Sequence, residues 1–98
     1  MTPNELLRHL ADNAFAPVEM HNKRVDEIRL CPEECRTLHA TPMFDASPQH
    51  RPRVGMLWGA WVCEDPKVQP GKFKVRTRQA WEPPSPLTWY DRLMLDDT

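Results

Sequence analysis

The side chains best suited to chemistry are three cysteines and a nearby histidine. Cys31, Cys35 and His39 recur every four residues, so one helix face would carry all three, and Cys63 lies in a later apolar stretch. Thiolates and imidazoles are the ligands that zinc prefers. The spacing is not that of a zinc finger, and residues spread over two helical turns rarely share one ion. We therefore expect Cys35 to be a small core side chain, and we expect neither a metal nor any other cofactor. A small zinc-dependent protein is kept as an alternative.

The sequence contains no recognisable catalytic motif. Three cysteines and four histidines allow Cys–His pairs to be drawn, but no local signature selects one of them. The sequence has no P-loop, no Gly-x-Ser-x-Gly elbow and no His-Glu-x-x-His motif. It has three glycines in all, which are too few to make a glycine-rich phosphate-binding loop easy to build. These features predict a protein that is not an enzyme and has no catalytic residue.

Positive charge is segregated along the chain. Residues 50–78 have a net charge of +5, whereas each flanking part has −3. The alternation in residues 72–78 predicts a strand with one apolar face and one basic face exposed to water. Such a face can meet an acidic protein surface or follow phosphates. It is also typical of an edge strand protected against aggregation, and the acidic flanks would neutralise it by folding back.

Aromatic residues near the C terminus are candidate anchors for a partner. Trp81 opens a proline-rich extended segment, and Trp89 and Tyr90 fall on a short helix predicted to begin at Pro86, with Tyr90 on its apolar stripe. Two interpretations of residues 81–98 stay open. The segment packs on its own domain to complete a small core, or it docks on another protein.

The remaining pattern predicts the elements that position these residues. Residues 2–5 (TPNE) form a capping box, so we expect a helix over 3–15 that ends before Pro17. Residues 18–31 are expected to be extended, as a short hairpin or as two separate strands. A second, short helix is predicted over 32–40.

The second half of the chain is predicted to be mostly extended. Residues 41–53 carry three prolines and no clear period, which predicts a long loop. Residues 54–63 are apolar on both faces and are predicted to form one central strand, joined by a turn to the strand at 72–78. The overall prediction is a single α+β domain over residues 1–80. It has a mainly antiparallel sheet of three or four strands, an N-terminal amphipathic helix, a short second helix and a proline-rich C-terminal tail.

Composition supports a small folded domain. The chain has 98 residues, of which 40% are apolar and 28% charged, with a net charge of −1. This balance argues against disorder and against general affinity for nucleic acid. No apolar run is long enough to cross a bilayer, and no signal peptide begins the chain. We therefore expect no membrane association and a reduced, cytoplasmic protein with free thiols.

One local pattern resembles a known group of proteins. The order DEIRLCPEECRTL, a long loop and VGMLWGAWVCEDPKVQPGKFKV, over about residues 26–76, is similar to small strand–helix–hairpin modules of tailed-phage proteins of the HK97-capsid type. In those modules a strand and a helix precede a Gly-x-Leu-Trp-Gly-like strand, an Asp-Pro turn and a returning strand. The resemblance implies a phage or prophage origin, and hence a place in the host cytoplasm or the virion. It carries over no functional residue.

Together these observations predict a non-enzymatic protein-binding factor that is phage-encoded and occupies a surface of a larger host or virion assembly. It would act as an inhibitor or anti-defence factor, or as a structural accessory of the virion. The residues expected to bind the partner are Arg51, Arg53, Lys72, Lys74, Arg76, Arg78, Trp81, Trp89 and Tyr90. The main alternative is a nucleic-acid-binding regulator that uses the same basic face, which steep salt dependence of binding would reveal. A homo-oligomer with the tryptophan-rich strand at its interface also fits the pattern.

Overall fold

The five strands of the described residues form one sheet, and the helices pack on one face of that sheet. The computed structural model describes residues 1–46 and 52–83. In chain order the elements are α1 (Pro3–Leu10), a π-helical turn (Ala11–Phe15), α2 (Ala16–Glu19), β1 (Lys23–Leu30), α3 (Pro32–Leu38), β2 (Phe44–Ala46), β3 (Arg53–Leu57), β4 (Ala60–Glu64) and β5 (Lys74–Gln79). The predicted α+β class is confirmed, with five strands in place of three or four. The predicted domain boundary at residue 80 stays a prediction, and residues 84–98 of the predicted tail lie outside the described residues.

The strand order is β2-β3-β4-β1-β5. Three of the four strand pairs are antiparallel, and β1 pairs with β4 in parallel. The parallel pair is possible because α3, β2 and β3 lie between β1 and β4 in the chain and bring it back to the same end of the sheet. Within the described part of the chain, no helix is both long and apolar enough to span a bilayer.

The N-terminal helix begins where the capping box predicts. The Thr2 side chain accepts a hydrogen bond from the Glu5 N–H, and the Glu5 carboxylate accepts one from the Thr2 N–H. The predicted end before Pro17 is wrong, because a π-helical turn precedes the proline. Pro17 then falls in the first turn of α2, where its missing N–H costs little.

Residues 18–31 do not form a hairpin or two strands. Val18 lies on α2, a turn with Asn22 at φ 60° follows, and one strand, β1, accounts for the rest. The second helix is confirmed as α3, although it ends at Leu38 rather than at residue 40. Cys35 is buried as expected, and Leu38 is buried too.

The predicted loop at 41–53 contains β2, which pairs antiparallel with β3. Gly55 allows this pairing, since a methyl group at that position would overlap the Asp45 carbonyl and the Phe44 ring. This strand could not be predicted from the sequence pattern, because three residues are too few to show a period.

The prediction of one strand over 54–63 is wrong. The chain reverses at Trp58 and Gly59, whose φ angles of 51° and 83° are both positive. Leu57 and Ala60 pair across this tight turn, so β3 and β4 form a hairpin. The predicted pairing of this stretch with the basic strand is wrong as well, because β1 lies between β4 and β5.

The apolar core lies between the helices and one sheet face. Val25, Ile28 and Val62 come from the central strands, and Leu6 and Leu10 come from α1. Phe73 and Val75 are half-buried against the same core. The opposite face of the sheet has a different composition.

Candidate protein-interaction surface

The sheet face opposite the helices is a layer of charged side chains. Val25 and Ile28 both belong to the core although they are three residues apart, which strict strand alternation forbids. A β-bulge between Val25 and Glu27 resolves this conflict, because it inserts one extra residue, Asp26. The side chains of Asp26 and Glu27 can then both lie away from the core face. Both residues are buried, with Asp26 only 1% exposed.

Asp26 neutralises part of the basic strand. Its Oδ2 atom accepts hydrogen bonds from Arg76 Nε at 3.0 Å and from Arg76 Nη2 at 2.6 Å. Arg78 Nε lies 3.7 Å from the other carboxylate oxygen. The expectation that the whole basic face of β5 is exposed to water is therefore wrong for Arg76 and Arg78. The alternative, in which the acidic flanking parts of the chain fold back and neutralise the basic face, applies to Arg76 and Arg78.

Glu27 lies among the same cations. Arg76 Nη2 is 3.5 Å from Glu27 Oε1, and Arg29 Nε is 3.3 Å from Glu27 Oε2. Burial raises the pKa of Glu27 above its ordinary value, and the neighbouring Arg76 and Arg29 only partly oppose that rise. Arg29 also reaches Asp65 at 3.5 Å, so it too is held within this layer.

Arg53 belongs to the layer and not to the outer surface. It is 1% exposed, and its guanidinium stacks on the Trp61 ring at 4.3 Å from the ring centroid. Burial lowers the pKa of Arg53, and the charge of Glu27 partly offsets this effect. The predicted surface role of Arg53 does not fit this position, because the side chain would have to leave the layer to reach a partner.

Two lysines of the basic stretch stay on the surface. Lys72 and Lys74 are exposed, and no carboxylate of residues 1–46 and 52–83 lies within 4.0 Å of either ammonium group. The cross-strand neighbour of Lys74 is Arg29, a second cation that is engaged with Glu27 and Asp65. Among the described members of the predicted basic site, these two lysines are therefore the ones whose charge is available to another molecule.

Arg78 ties the end of β5 to the β3–β4 turn. Its Nη1 donates to the Glu82 carbonyl at 2.5 Å, and its Nη2 lies 3.4 Å from the Gly59 carbonyl. Trp81 stands next to this link and is 82% exposed, which agrees with a surface position. Arg51, Trp89 and Tyr90, the other predicted site residues, lie outside the described residues.

Trp58 is an exposed aromatic side chain that the pattern analysis placed within a strand. It lies at the tip of the β3–β4 hairpin, is 40% exposed, and packs edge-on against Phe15 at 5.0 Å between ring centroids. The signal that identifies it is the glycine at the next position between two apolar stretches, which is typical of a two-residue hairpin turn.

The cysteines are free and buried. The Cys35 thiol lies 3.8 Å from the Leu30 carbonyl oxygen and 4.0 Å from that of Cys63. Burial raises the pKa of Cys35 to about 12, so its thiol stays protonated at neutral pH. His39 is exposed and packs on Phe44. In the described ranges no three His, Cys, Asp or Glu residues are placed to hold a metal ion.

Comparison with known proteins found no matching family model, no matching curated protein and no matching solved structure. The resemblance to tailed-phage modules therefore stays a prediction from the sequence.

Proposed function

We propose that this protein is a non-enzymatic binding factor that recognises a protein surface carrying negative charge. The observation that supports this most is the position of Lys72 and Lys74. They are exposed cations without a carboxylate partner in the described residues. Lys74 is the first residue of the edge strand β5, and Lys72 lies two residues before it. Trp81, which is exposed near the other end of β5, adds apolar area of the kind that anchors protein interfaces.

A nucleic acid is the less favoured partner. Binding to a phosphate backbone draws on many free cations. In the basic strand, Arg76 and Arg78 are already engaged with Asp26, and Arg53 of β3 is buried. The two remaining lysines suit a local contact with a few carboxylates better than a track along a phosphate backbone.

The partner is proposed to belong to a larger assembly. The sequence resemblance to tailed-phage modules supports a phage origin, so the assembly would be a host machine in the cytoplasm or a virion. By occupying a surface there, the protein would act as an inhibitor or anti-defence factor, or as a structural accessory.

The test is an affinity capture from host lysate, with and without nuclease, read by mass spectrometry. Three forms are compared: the wild type, the variant Lys72→Glu/Lys74→Glu, and the matched control Arg8→Glu/Arg36→Glu. The control reverses two exposed cations on α1 and α3 and so changes the net charge equally. Arg76 is left intact, because a glutamate there would face Asp26 and destabilise the fold.

We expect one stoichiometric protein that survives nuclease, is retained by the control, and is lost with the Lys72/Lys74 variant. Loss of every partner after nuclease would favour the nucleic-acid alternative. A protein captured equally well by all three forms would overturn the proposed surface.

A further inference from the structure

The outer edge of β5 is unpaired over most of its length among the described residues. β5 ends the strand order, and β1 occupies its inner edge. At the end of β5, the Gln79 N–H donates to the Glu82 carboxylate at 3.0 Å. The Gln79 carbonyl accepts from the Glu82 N–H, also at 3.0 Å. Both backbone groups of Gln79 therefore point away from β1.

This direction repeats along the strand. The N–H and C=O of one strand residue point to the same side, and those of the next residue point to the opposite side. Counting back in twos from Gln79, Thr77 and Val75 also direct their backbone groups to the outer edge. A row of this kind is a template on which a further strand can pair.

The two faces beside this edge differ in chemistry. On the helix side, Phe73 and Val75 are half-buried against the core and leave apolar surface open to a neighbour. On the opposite side, Lys74 is exposed. A strand added here would therefore meet apolar and basic positions in alternation.

A second copy of the chain does not suit this edge. The strand β5 contains no carboxylate, so a second β5 strand paired antiparallel would bring further cations and no negative charge to the face that carries Lys74. Like charges in cross-strand positions are destabilising. A nucleic acid has no ladder of N–H and C=O groups to pair. The edge is complementary to an extended peptide with carboxylates on the side of Lys74.

We propose that β5 receives an added strand from the partner, an extended segment in which acidic and apolar residues alternate. This inference rests on the proposed function, because it specifies how the same surface holds its protein partner. The apolar side chains of the segment cover Phe73 and Val75, its carboxylates meet Lys74, and its backbone bonds to Val75 and Thr77. Glu82 confines the added strand to the part of β5 before Gln79.

The test uses the full chain and a capped synthetic peptide of alternating glutamate and valine. Two control peptides are used, one with the same residues in block order and one of alternating lysine and valine. Binding is followed by fluorescence anisotropy, and amide hydrogen exchange by NMR. We expect the alternating acidic peptide to bind at least about tenfold more tightly than either control. We expect it to slow exchange at Val75 and Thr77 about tenfold or more.

Two variants sharpen this test. Thr77→Pro removes one outward N–H, a change that edge strands tolerate, and should abolish the peptide-induced protection of Val75. Lys74→Glu leaves the backbone unchanged and should weaken binding about fivefold or more. Equal binding of the block-order peptide, no binding at all, or protection at another surface would overturn the added strand.

Failure of this inference is distinguishable from failure of the proposed function. If the peptide does not bind but the captured partner still depends on Lys72 and Lys74, protein binding stands and the added strand is wrong. If the partner is indifferent to those lysines, both proposals are wrong.

Discussion

Asp26 is the residue on which the charged layer of the sheet depends. It is buried, accepts two hydrogen bonds from Arg76, and lies close to Arg78. Its position follows from a bulge, which moves one residue of β1 out of the strand alternation. Sequence pattern predicts the alternation of β5 well, but the bulge in β1 leaves no periodic signal, so the partner of these arginines could not be predicted.

Removing the charge of Asp26 should destabilise the fold strongly. In the Asp26→Asn variant, the half-buried guanidinium groups of Arg76 and Arg78 lose the charge of Asp26, and breaking a buried ion pair in this way typically costs about 3–5 kcal/mol. Urea unfolding measures the loss in the free energy of unfolding. The control Asp12→Asn changes an exposed carboxylate on the helix and should alter that free energy by less than about 0.5 kcal/mol. Equal effects of the two changes would contradict the described role of Asp26.

Glu27 should make stability depend on pH in the opposite sense to an ordinary ion-paired acid. Burial raises the pKa of Glu27 above its ordinary value of 4.5, so the folded state holds this proton more tightly than the unfolded state. The stability that this proton contributes is complete below pH 4.5 and is lost as pH rises through the folded pKa. The side chain of the Glu27→Gln variant does not ionise, so this variant should not lose stability in this way as pH rises.

Urea unfolding of both forms from about pH 4 to about pH 8 checks this prediction. We expect the stability of the Glu27→Gln variant relative to the wild type to increase with pH and then to level off. A difference that is flat, or that decreases as pH rises, would show that the surrounding arginines outweigh desolvation at this carboxylate.

At the scale of elements, the helices were more predictable than the sheet. The capping box and the Pro-Glu-Glu start each fixed the beginning of a helix, because these signals are local. The β3–β4 turn was missed because Trp58 and Gly59 continue an apolar run, in which Gly59 is the local sign of the reversal that the backbone angles show. The position of β1 between β4 and β5 depends on contacts far apart in the chain, which no periodicity reports.

Gly55 offers a test of the short edge strand β2. A methyl group at this position would overlap the Asp45 carbonyl and the Phe44 ring, so Gly55→Ala should cost about 1–3 kcal/mol and separate β2 from β3. The matched control is Gly71→Ala, which has open space but a positive φ of 80° and should cost about 1 kcal/mol. Hydrogen exchange distinguishes them, since only the Gly55 variant should expose the amides of the β2–β3 pair. Equal protection in both variants would argue against this packing.

At the scale of the whole molecule, one sheet separates two environments. The helix side holds the apolar core, and the opposite side holds a charged layer in which Arg76 and Arg78 of the predicted basic site lie against Asp26 and Glu27. Among the described residues of the predicted site, Lys72, Lys74 and Trp81 are exposed at or beside β5, and this is the surface that we propose for a partner. Charge segregation along the sequence predicted the neighbourhood of this surface, but it could not separate surface cations from internal ones.

The most direct test of the account is the affinity of the captured partner for three purified forms, measured by isothermal titration calorimetry. The forms are the wild type, Lys72→Glu/Lys74→Glu and the control Arg8→Glu/Arg36→Glu, each checked for folding by circular dichroism. If Lys72 and Lys74 form the binding surface, we expect a Kd at least about tenfold weaker for the Lys72/Lys74 variant and a change within about twofold for the control. A Lys72/Lys74 variant that binds as tightly as the wild type would contradict it.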